Sequence, residues 1–394
     1  MDLHRPRAAA GAARPMLDEA GREQAREAGF DPDALERAFG VVADAVETGS
    51  VPGAVMLVGR SSGEGVGPVA VGYRAILPSL EPMHGDTIFD MASLTKVMAT
   101  APVAMMLVER GQLRLGAAVA EYLPEFAEGV PDERRKQVRI FHLLTHTSGL
   151  PAWRALYEGC PDRDACRPAM ERRLLQTPLE APPGTQVTYS CLGYITLGLV
   201  IERLTGAGLD SVARKWLYKP MGMDATTYRP DESLRERCAA TEYCPLRRRV
   251  VRGDVHDENA YFFGGVAGNA GLFSAAADTA RFARMMLAKG RWGGRRILSE
   301  AAVEAMTRNH TAHLNEARGL GWAVRATSLD SSSGDLMSPS AYGHTGFTGT
   351  SLWVDPERDL FCVLLTNRVH PSRQNEAHTS LRPAFHNAVV AALA

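Results

Sequence analysis

The sequence predicts an α/β protein of the α+β type, in which sheet-forming ends enclose a mostly helical middle. Near the N-terminus, the apolar segments 53–59 and 69–73 predict strands separated by a Ser- and Gly-rich turn, which is a hairpin signal. From Ser93 to about Ala275, helix and loop patterns prevail, with proline-rich joints. After Ala277, helical patterns precede strand-like runs. These three observations place the sheet at the two ends of the chain.

The individual elements follow from hydrophobic periodicity. Residues 32–47 predict an amphipathic helix with Leu35, Ala38, Val42 and Val46 on one side. In the C-terminal part we predict helices at 278–288, 299–308 and 381–393, and strands near 321–324, 350–354 and 360–366. In terms of domains, we expect one domain over 31–394, with a sheet-containing subdomain (31–92 and 277–394) and a mostly helical one (93–276).

Residues 1–30 are predicted to form a charged leader. This range is rich in Ala, Arg and Glu, and its longest uncharged stretch, 8–13, is too short and too weakly apolar for a signal peptide. The longest apolar run, 97–108, is well below the roughly 20 residues that cross a bilayer. We therefore expect a cytoplasmic protein that does not enter a membrane.

Composition excludes several classes of function. The 394 residues are 45% hydrophobic and carry a net charge of -1, so no charge excess indicates a nucleic acid or membrane partner. Six cysteines without a secretory signal predict reduced thiols. The chain contains neither Cys-x-x-Cys nor His-Glu-x-x-His, and it lacks the Gly-x-Ser-x-Gly turn of α/β-hydrolases. We expect no metal site and no cofactor.

The most specific motif is Ser93-x-x-Lys96. Positions i and i+3 share a helix face, so the lysine amine can accept the serine proton. Apolar neighbours are expected to desolvate Lys96 and favour its neutral, basic form. By itself this short motif also occurs by chance.

Two later segments add to the motif. In the first, a turn at 183–188 delivers Tyr189, followed by Ser190 and Cys191, to the start of an apolar helix. In the second, His344-Thr345-Gly346-Phe347 precedes a strand, where glycine lets a ligand lie close to the strand edge. Tyr189 is a candidate proton relay.

The ordered set Ser93-x-x-Lys96, Tyr189-Ser-x and His344-Thr345-Gly346 resembles the penicillin-recognising serine hydrolase superfamily. The nearest branch is that of class C β-lactamases, D-Ala-D-Ala carboxypeptidases and family VIII carboxylesterases, and the likeness covers roughly residues 32–392. The resemblance implies an antiparallel sheet flanked by helices, a helical subdomain, and an active site at their junction.

The resemblance also implies roles for the motif residues. Ser93 would attack the acyl carbon, Lys96 and Tyr189 would share proton transfer, and the N–H groups of Ser93 and Phe347 would bind the oxyanion. His344 stands where many relatives have lysine and would donate to a substrate carboxylate or carbonyl, beside Thr345 and Gly346.

Cys191 departs from the family pattern, which has asparagine here. Cysteine is a weak hydrogen-bond donor and acceptor, so an amide substrate would lose more hydrogen bonding at this position than an ester would. We interpret Cys191 as a small buried residue beside the nucleophile in preference to a catalytic thiol.

The polar segment 254–259 is interpreted as a solvated loop whose acids offset the basic run 247–252. The alternative is a loop that leads into the glycine-rich stretch 264–271 and lines the cleft.

Together these features predict a serine hydrolase that forms an acyl-enzyme on a small ester or amide, most simply a β-lactamase-related carboxylesterase. The alternatives are a β-lactamase, a peptidase or amidase for D-amino-acid or muropeptide substrates, and a non-catalytic ligand-binding or scaffold protein of the same fold. Oligomeric state is not predicted.

Overall fold

The computed structural model describes residues 17–160, 162–163, 165–325 and 331–394. Its main sheet has seven strands, and each neighbouring pair is antiparallel. The strands lie in the order β11 (Ala323–Val324), β12 (Tyr342–Thr345), β13 (Ser351–Asp355), β14 (Leu360–Thr366), β1 (Gly53–Gly59), β2 (Val66–Ala75) and β3 (Glu81–Pro82). Helices pack on both faces, and a mostly helical part lies beside the sheet. The predicted α+β fold with a flanked antiparallel sheet is confirmed.

The strands of the described residues are β1 Gly53–Gly59, β2 Val66–Ala75, β3 Glu81–Pro82, β4 Ile88–Asp90, β5 Thr227–Tyr228, β6 Ala240–Cys244, β7 Arg249–Arg252, β8 Leu272–Ala275, β9 Arg291–Trp292, β10 Arg295–Arg296, β11 Ala323–Val324, β12 Tyr342–Thr345, β13 Ser351–Asp355 and β14 Leu360–Thr366. The α-helices are α1 Glu19–Glu27, α2 Pro32–Glu47, α3 Ala101–Glu109, α4 Ile140–Leu144, α5 Arg167–Leu175, α6 Cys191–Thr205, α7 Leu209–Ala213, α8 Lys219–Met221, α9 Glu232–Arg235, α10 Glu258–Phe262, α11 Ala276–Leu287, α12 Glu300–Thr307 and α13 Leu381–Ala391. A π-helical turn, Lys96–Thr100, precedes α3.

The centre of the sheet is buried on both faces. Along β1, Val55 and Leu57 point into the core shared with the helical part, whereas Ala54 and Met56 contact the layer formed by α2 and α13. The neighbouring β14 alternates in the same way and is buried throughout. This double burial explains why both strands are continuous apolar runs in the sequence. Helix α2, β1 and β14 have the bounds that periodicity predicts.

The packed structure reaches into the range predicted as a leader. Helix α1 lies within residues 1–30, buries Ala25, and is tied to α2 by Arg22, which forms an ion pair with Glu36 at 2.9 Å. Phe30 forms a bridge with Leu393 near the C-terminus. Residues 1–16 of the predicted leader lie outside the described residues.

A small sheet carries the chain from the main sheet to the helical part. Its order is β4-β8-β5, and β4 ends at Asp90, three residues before Ser93. The apolar helix α6 begins at Cys191 and buries nine of its residues in the helical core. Ser93 therefore lies where the two parts of the molecule meet.

The six cysteines form no disulfide bond in the described structure, and their reduced state stays a prediction. Among the described residues, no single helix combines the length and apolar composition needed to span a membrane. Helix α6 and the following segment Leu209–Met221 do so only as a pair, and this pair is bent by 74°.

Arg135 connects three segments of the helical part, so its removal is expected to lower the stability of the protein. Its buried guanidinium donates to the carbonyl groups of Phe126, Leu175 and Thr177. Because Arg135→Ala leaves these carbonyls without a donor, we expect the free energy of unfolding to fall by about 3 kcal/mol in urea denaturation.

Lys136→Ala is the matched control for Arg135→Ala. Among the described residues, Lys136 pairs only with exposed Glu133, so its loss is expected to change stability by about 0.5 kcal/mol or less. Equal effects of the two substitutions would contradict this interpretation.

Candidate active site

Ser93 follows a strained turn. Ala92 has φ 45°, in the left-handed region that costs an alanine roughly 1 kcal/mol. The buried carboxylate of Asp90 holds the turn, because Oδ1 accepts from the N–H of Ala92 at 2.8 Å and Oδ2 from the N–H of His256 at 2.6 Å. This turn presents the half-buried Ser93 to the cleft.

Lys96 is fully buried behind Ser93. Its Nζ donates to Ser93 Oγ at 3.0 Å, to the backbone oxygen of Asn269 at 3.0 Å and to Cys191 Sγ at 3.6 Å. These three acceptors match the three donors of an ammonium group. No carboxylate of the described residues forms an ion pair with it. The predicted contact between serine and lysine is present.

The pKa shift of Lys96 differs from the expectation based on its apolar neighbours. Burial by itself lowers the pKa of Lys96. The negative charges of Cys191 and Tyr189 in their ionised forms raise it, as does Asp257, and the net shift of the pKa is upward. Burial also raises the pKa of Tyr189, with only partial relief from Lys96. The direction for Lys96 is thus opposite to the one that burial alone predicts, whereas Tyr189 is a neutral phenol at neutral pH.

Tyr189 is fixed by its neighbours on both sides. The next residue, Ser190, caps α6 by accepting from the N–H of Gly193 at 3.1 Å, and its own N–H donates to Nδ1 of His146 at 3.0 Å. The His146 ring lies 4.5 Å from the Tyr189 ring, and Lys96 Nζ lies 4.9 Å from the centre of the Tyr189 ring. Tyr189 is thus held next to Lys96 and close to Ser93.

Cys191 contacts the lysine directly. It is half-buried at the first position of α6, and its sulfur accepts from Lys96. The sequence-based interpretation as a buried space-filling residue is therefore incomplete, since the thiol is a ligand of the ammonium group.

The strand β12 and the loop after it form the opposite wall. The chain at Gly346 has no room for a side chain, because a Cβ would lie 2.0 Å from Thr350 Oγ1 and 2.6 Å from the backbone oxygen of Met91. Thr348 donates to the backbone oxygen of Asp90 at 2.6 Å and so ties this loop to the turn before Ser93. In the described part of the chain, the N–H groups of Ser93 and Phe347 donate to no protein acceptor. Both are available to an oxyanion.

His344 and Phe347 flank this wall. His344 is 5% exposed, lies 5.7 Å from the Tyr189 ring, and donates from Nδ1 to the backbone oxygen of Thr345 at 2.7 Å. Phe347 is exposed and lies between the His256 ring and the guanidinium of Arg368. The structure thus brings all eight sequence-predicted site residues to one cleft.

The cleft opens into a cavity of about 1000 Å³ that the sequence motifs do not reveal. Arg318, Arg368 and Arg382 line it, and Glu316 is bound to Arg318 at 2.5 Å. Arg382 also donates to the backbone oxygen of Gly346 at 2.7 Å. Burial, followed by repulsion from Arg368, lowers the pKa of Arg382 to about 10, so it stays charged at neutral pH. This cavity is suited to an anionic group of a ligand.

The segment 254–259 is not the solvated loop that its composition suggests. His256 and Asn259 are buried, and the N–H of His256 binds Asp90. Asp257 accepts from the side-chain amide of Asn269 at 3.3 Å, and the backbone oxygen of Asn269 binds Lys96. The solvated-loop interpretation was wrong for His256 and Asn259, which are buried, but Asp254 does pair with Arg249 of the basic run at 2.7 Å. The segment supports the site from behind.

One group of side chains in the described residues has the composition of a metal site. Glu242, Cys244 and Glu258 place one ligand atom each within 4.8 Å of the others. Arg373 donates to both carboxylates, so a guanidinium already occupies the side of the cluster that a cation would share.

Comparisons with known proteins agree with this architecture. The family model described as "Beta-lactamase" matches residues 39–384. The chain is 33% identical over 347 residues to "N-acetylmuramyl-L-alanine amidase" of Bacillus subtilis (strain 168), with 81% of this chain and 78% of that protein covered. It is 31% identical over 387 residues to a "Putative D-alanyl-D-alanine carboxypeptidase" of Salmonella agona (strain SL483), with 90% and 87% covered.

Among solved structures, "EstCE1, a hydrolase with promiscuous acyltransferase activity" superposes with a TM-score of 0.72 at 24% identity, over 91% of this chain and 99% of that one. At this identity the likeness shows a common fold. The family model and the two sequence relatives show that the chain belongs to the β-lactamase family.

Proposed function

We propose that this protein is a serine hydrolase that works through an acyl-enzyme. The observation that carries the proposal is the 3.0 Å contact between the buried Lys96 Nζ and Ser93 Oγ, next to two N–H groups that donate to no acceptor among the described residues. Ser93 Oγ bonds to the acyl carbon, and the N–H groups of Ser93 and Phe347 hold the oxyanion. Water then releases the acyl group as an acid.

Proton transfer follows from the charge state of the site. We propose that the resting site holds Lys96 as an ammonium and Tyr189 as a phenol, so one proton must leave this pair before it can accept the Ser93 proton. The deprotonated pair then takes that proton, and the leaving group receives it through Tyr189 when its bond to the acyl carbon breaks. Asn269 and Cys191 keep the amine in place throughout.

We propose a β-lactamase-related carboxylesterase as the primary activity. The thiol of Cys191 lies where relatives are expected to offer an amide, and it cannot both donate to and accept from a substrate amide well. An ester makes no such demand, because it has no N–H at the scissile bond. The three arginines of the cavity favour an ester that also carries a carboxylate.

An amidase or peptidase is the second candidate. The observations that favour it are the cationic cavity and the names of the sequence relatives, an amidase and a putative carboxypeptidase. Such substrates end in a carboxylate that arginine binds well.

The cytoplasmic location expected from residues 1–30 stays a prediction.

Turnover of a short-chain p-nitrophenyl ester beside a chromogenic cephalosporin tests the proposed activity. We expect ester cleavage to be faster than cephalosporin cleavage. Ser93→Ala and Lys96→Ala should each lower the rate of ester cleavage by about 10³-fold or more. Tyr189→Phe is expected to cost about 10²-fold, as for a lost proton relay.

Circular dichroism of each variant serves as the folding control. Ester turnover that survives Ser93→Ala would refute the mechanism. Covalent labelling of Ser93 without turnover would instead support a ligand-binding member of the fold.

The pH dependence of kcat/KM tests the charge state. Since the pKa values of Lys96 and Tyr189 are both raised, the reactive, singly deprotonated pair becomes more populated as pH rises. We expect kcat/KM to increase from neutral into alkaline pH. No inflection is expected near 6.5, because burial and nearby cations hold the pKa values of His146 and His344 well below that value. A profile that falls above neutral pH while the protein stays folded would contradict this assignment.

Asp257→Asn tests the support behind the lysine. The asparagine can still cap α10, but the substitution removes the negative charge that helps raise the pKa of Lys96. We expect the rising limb of kcat/KM to shift to lower pH. Asp254→Asn, in the same segment but paired with Arg249, is the control and should leave the limb in place. Equal shifts in both variants would show that the effect is not specific to Asp257.

A further inference from the structure

The peptide group between Gly346 and Phe347 is held from its carbonyl side. Its oxygen accepts from Arg382 at 2.7 Å and from the N–H of Gly349 at 3.0 Å. The peptide bond is trans, so its N–H points away from its C=O and these two donors direct the Phe347 N–H to the opposite side. That N–H donates to no acceptor among the described residues, and Phe347 lines the same cavity as Ser93.

Arginines also fix the peptide groups next to this one. Arg382 donates to the backbone oxygen of Thr350 at 3.1 Å, and that oxygen accepts from the N–H of Gly346 at 2.8 Å. On the other side, Arg368 Nε donates to the backbone oxygen of Phe347 at 2.7 Å. The backbone before and after the Phe347 N–H is therefore held by charged donors before a substrate binds. Donors that are oriented in advance are what stabilisation of an oxyanion requires.

Arg382 occupies a position that stability does not explain. It is the second residue of α13, where the partial positive charge of a helix N-terminus disfavours a cation. Its Nε is buried and has no hydrogen-bond partner among the described residues, and the charge of Arg368 repels it. No described carboxylate offsets this cost. A desolvated cation without a counter-ion lowers stability, so the contact with Gly346 needs another reason.

We propose that Arg382 is a positioning residue of the oxyanion site, which orients and polarises the N–H of Phe347 through the carbonyl of Gly346. A charged donor on a carbonyl oxygen draws electron density along the peptide group, which makes the N–H at its other end a stronger donor. This inference rests on the proposed hydrolase function and adds a residue to its machinery. It differs from the binding of a substrate anion, because it applies equally to an uncharged ester.

An uncharged ester separates positioning from anion binding. With a short-chain p-nitrophenyl ester, we expect Arg382→Met to lower kcat by about 10-fold or more, since the loss of a whole oxyanion donor costs about 10²- to 10³-fold. KM should change by less than about twofold, because the contact acts on the transition state. Arg382→Lys keeps a charged donor and should recover part of the loss in kcat.

Asn387→Ala is the matched control. Asn387 lies on the same helix, α13, and accepts from the N–H groups of Asp335 and Leu336. Its removal weakens the attachment of α13 without changing a contact to Gly346, so kcat for the uncharged ester should stay in place. An equal loss of kcat in Asn387→Ala and Arg382→Met would show that only the attachment of the helix matters, and this would overturn the proposal.

Amide NMR tests the contact without turnover. Gly-Phe occurs twice in the sequence, at 29–30 and 346–347, so ¹³C in glycine carbonyls and ¹⁵N in phenylalanine amides select two signals. We expect Arg382→Met to move the Phe347 signal to lower ¹⁵N frequency, because the preceding carbonyl loses a charged donor. Arg382→Lys should move it less, and the Phe30 signal is the internal reference. Asn387→Ala should leave the Phe347 signal in place.

An unmoved Phe347 signal in Arg382→Met, or an unchanged kcat for the uncharged ester, would overturn the proposal. So would a loss confined to the KM of esters that carry a carboxylate, since it would assign Arg382 to anion binding alone.

If wild-type protein cleaves no ester, the proposed hydrolase function fails. Arg382 is then decided by titration with phenylboronic acid, an uncharged compound that forms a tetrahedral adduct with a reactive serine without turnover. We expect Arg382→Met to weaken this adduct by about 10-fold. Equal affinities in the two proteins, or no adduct with wild-type protein, would refute the role of Arg382.

Discussion

The placement of one lysine amine inside the protein constrains most of the site. Lys96 is fully buried and forms no ion pair with a described carboxylate, so it is stabilised by hydrogen-bond acceptors in contact with it and by the more distant charge of Asp257. Ser93, the backbone oxygen of Asn269 and the sulfur of Cys191 supply three contacts from three separate segments. Each segment must therefore be held in place, and the surrounding structure does this.

Asp90 links those segments. Its carboxylate holds the strained turn at Ala92 and the backbone of His256, and its carbonyl accepts from Thr348 beyond β12. The nucleophile, the support behind Lys96 and the oxyanion-binding loop are thus fixed to one buried residue. Such pre-organisation is what stabilisation of an oxyanion requires, because donors that are already oriented need no rearrangement during the reaction. The site opens into a cavity lined by Arg318, Arg368 and Arg382, which favour an anionic group of a ligand.

The parts that the sequence predicts well are those set by local pattern. Helix α2 and strands β1 and β14 have strong periodicity or continuous burial, and the motifs around Ser93, Tyr189 and His344 are short and ordered. Helix α1 was missed because it buries only Ala25 and is otherwise polar. The arginines of the cavity could not be found because each is a single residue from a different segment. The pKa of Lys96 depends on Cys191, which is 95 residues away in the sequence, and the position of its amine depends on Asn269, which is 173 residues away. No local sequence pattern could therefore predict either property.

The central claim is that Ser93, activated by Lys96, carries the acyl group. The most direct measurement is rapid acid quench of the protein during ester turnover, followed by mass spectrometry of the intact chain and of its peptides. The account predicts an increment equal to the acyl group on the peptide that contains Ser93, absent in Ser93→Ala. An acyl group on Cys191, whose thiol shares the same lysine, would contradict it.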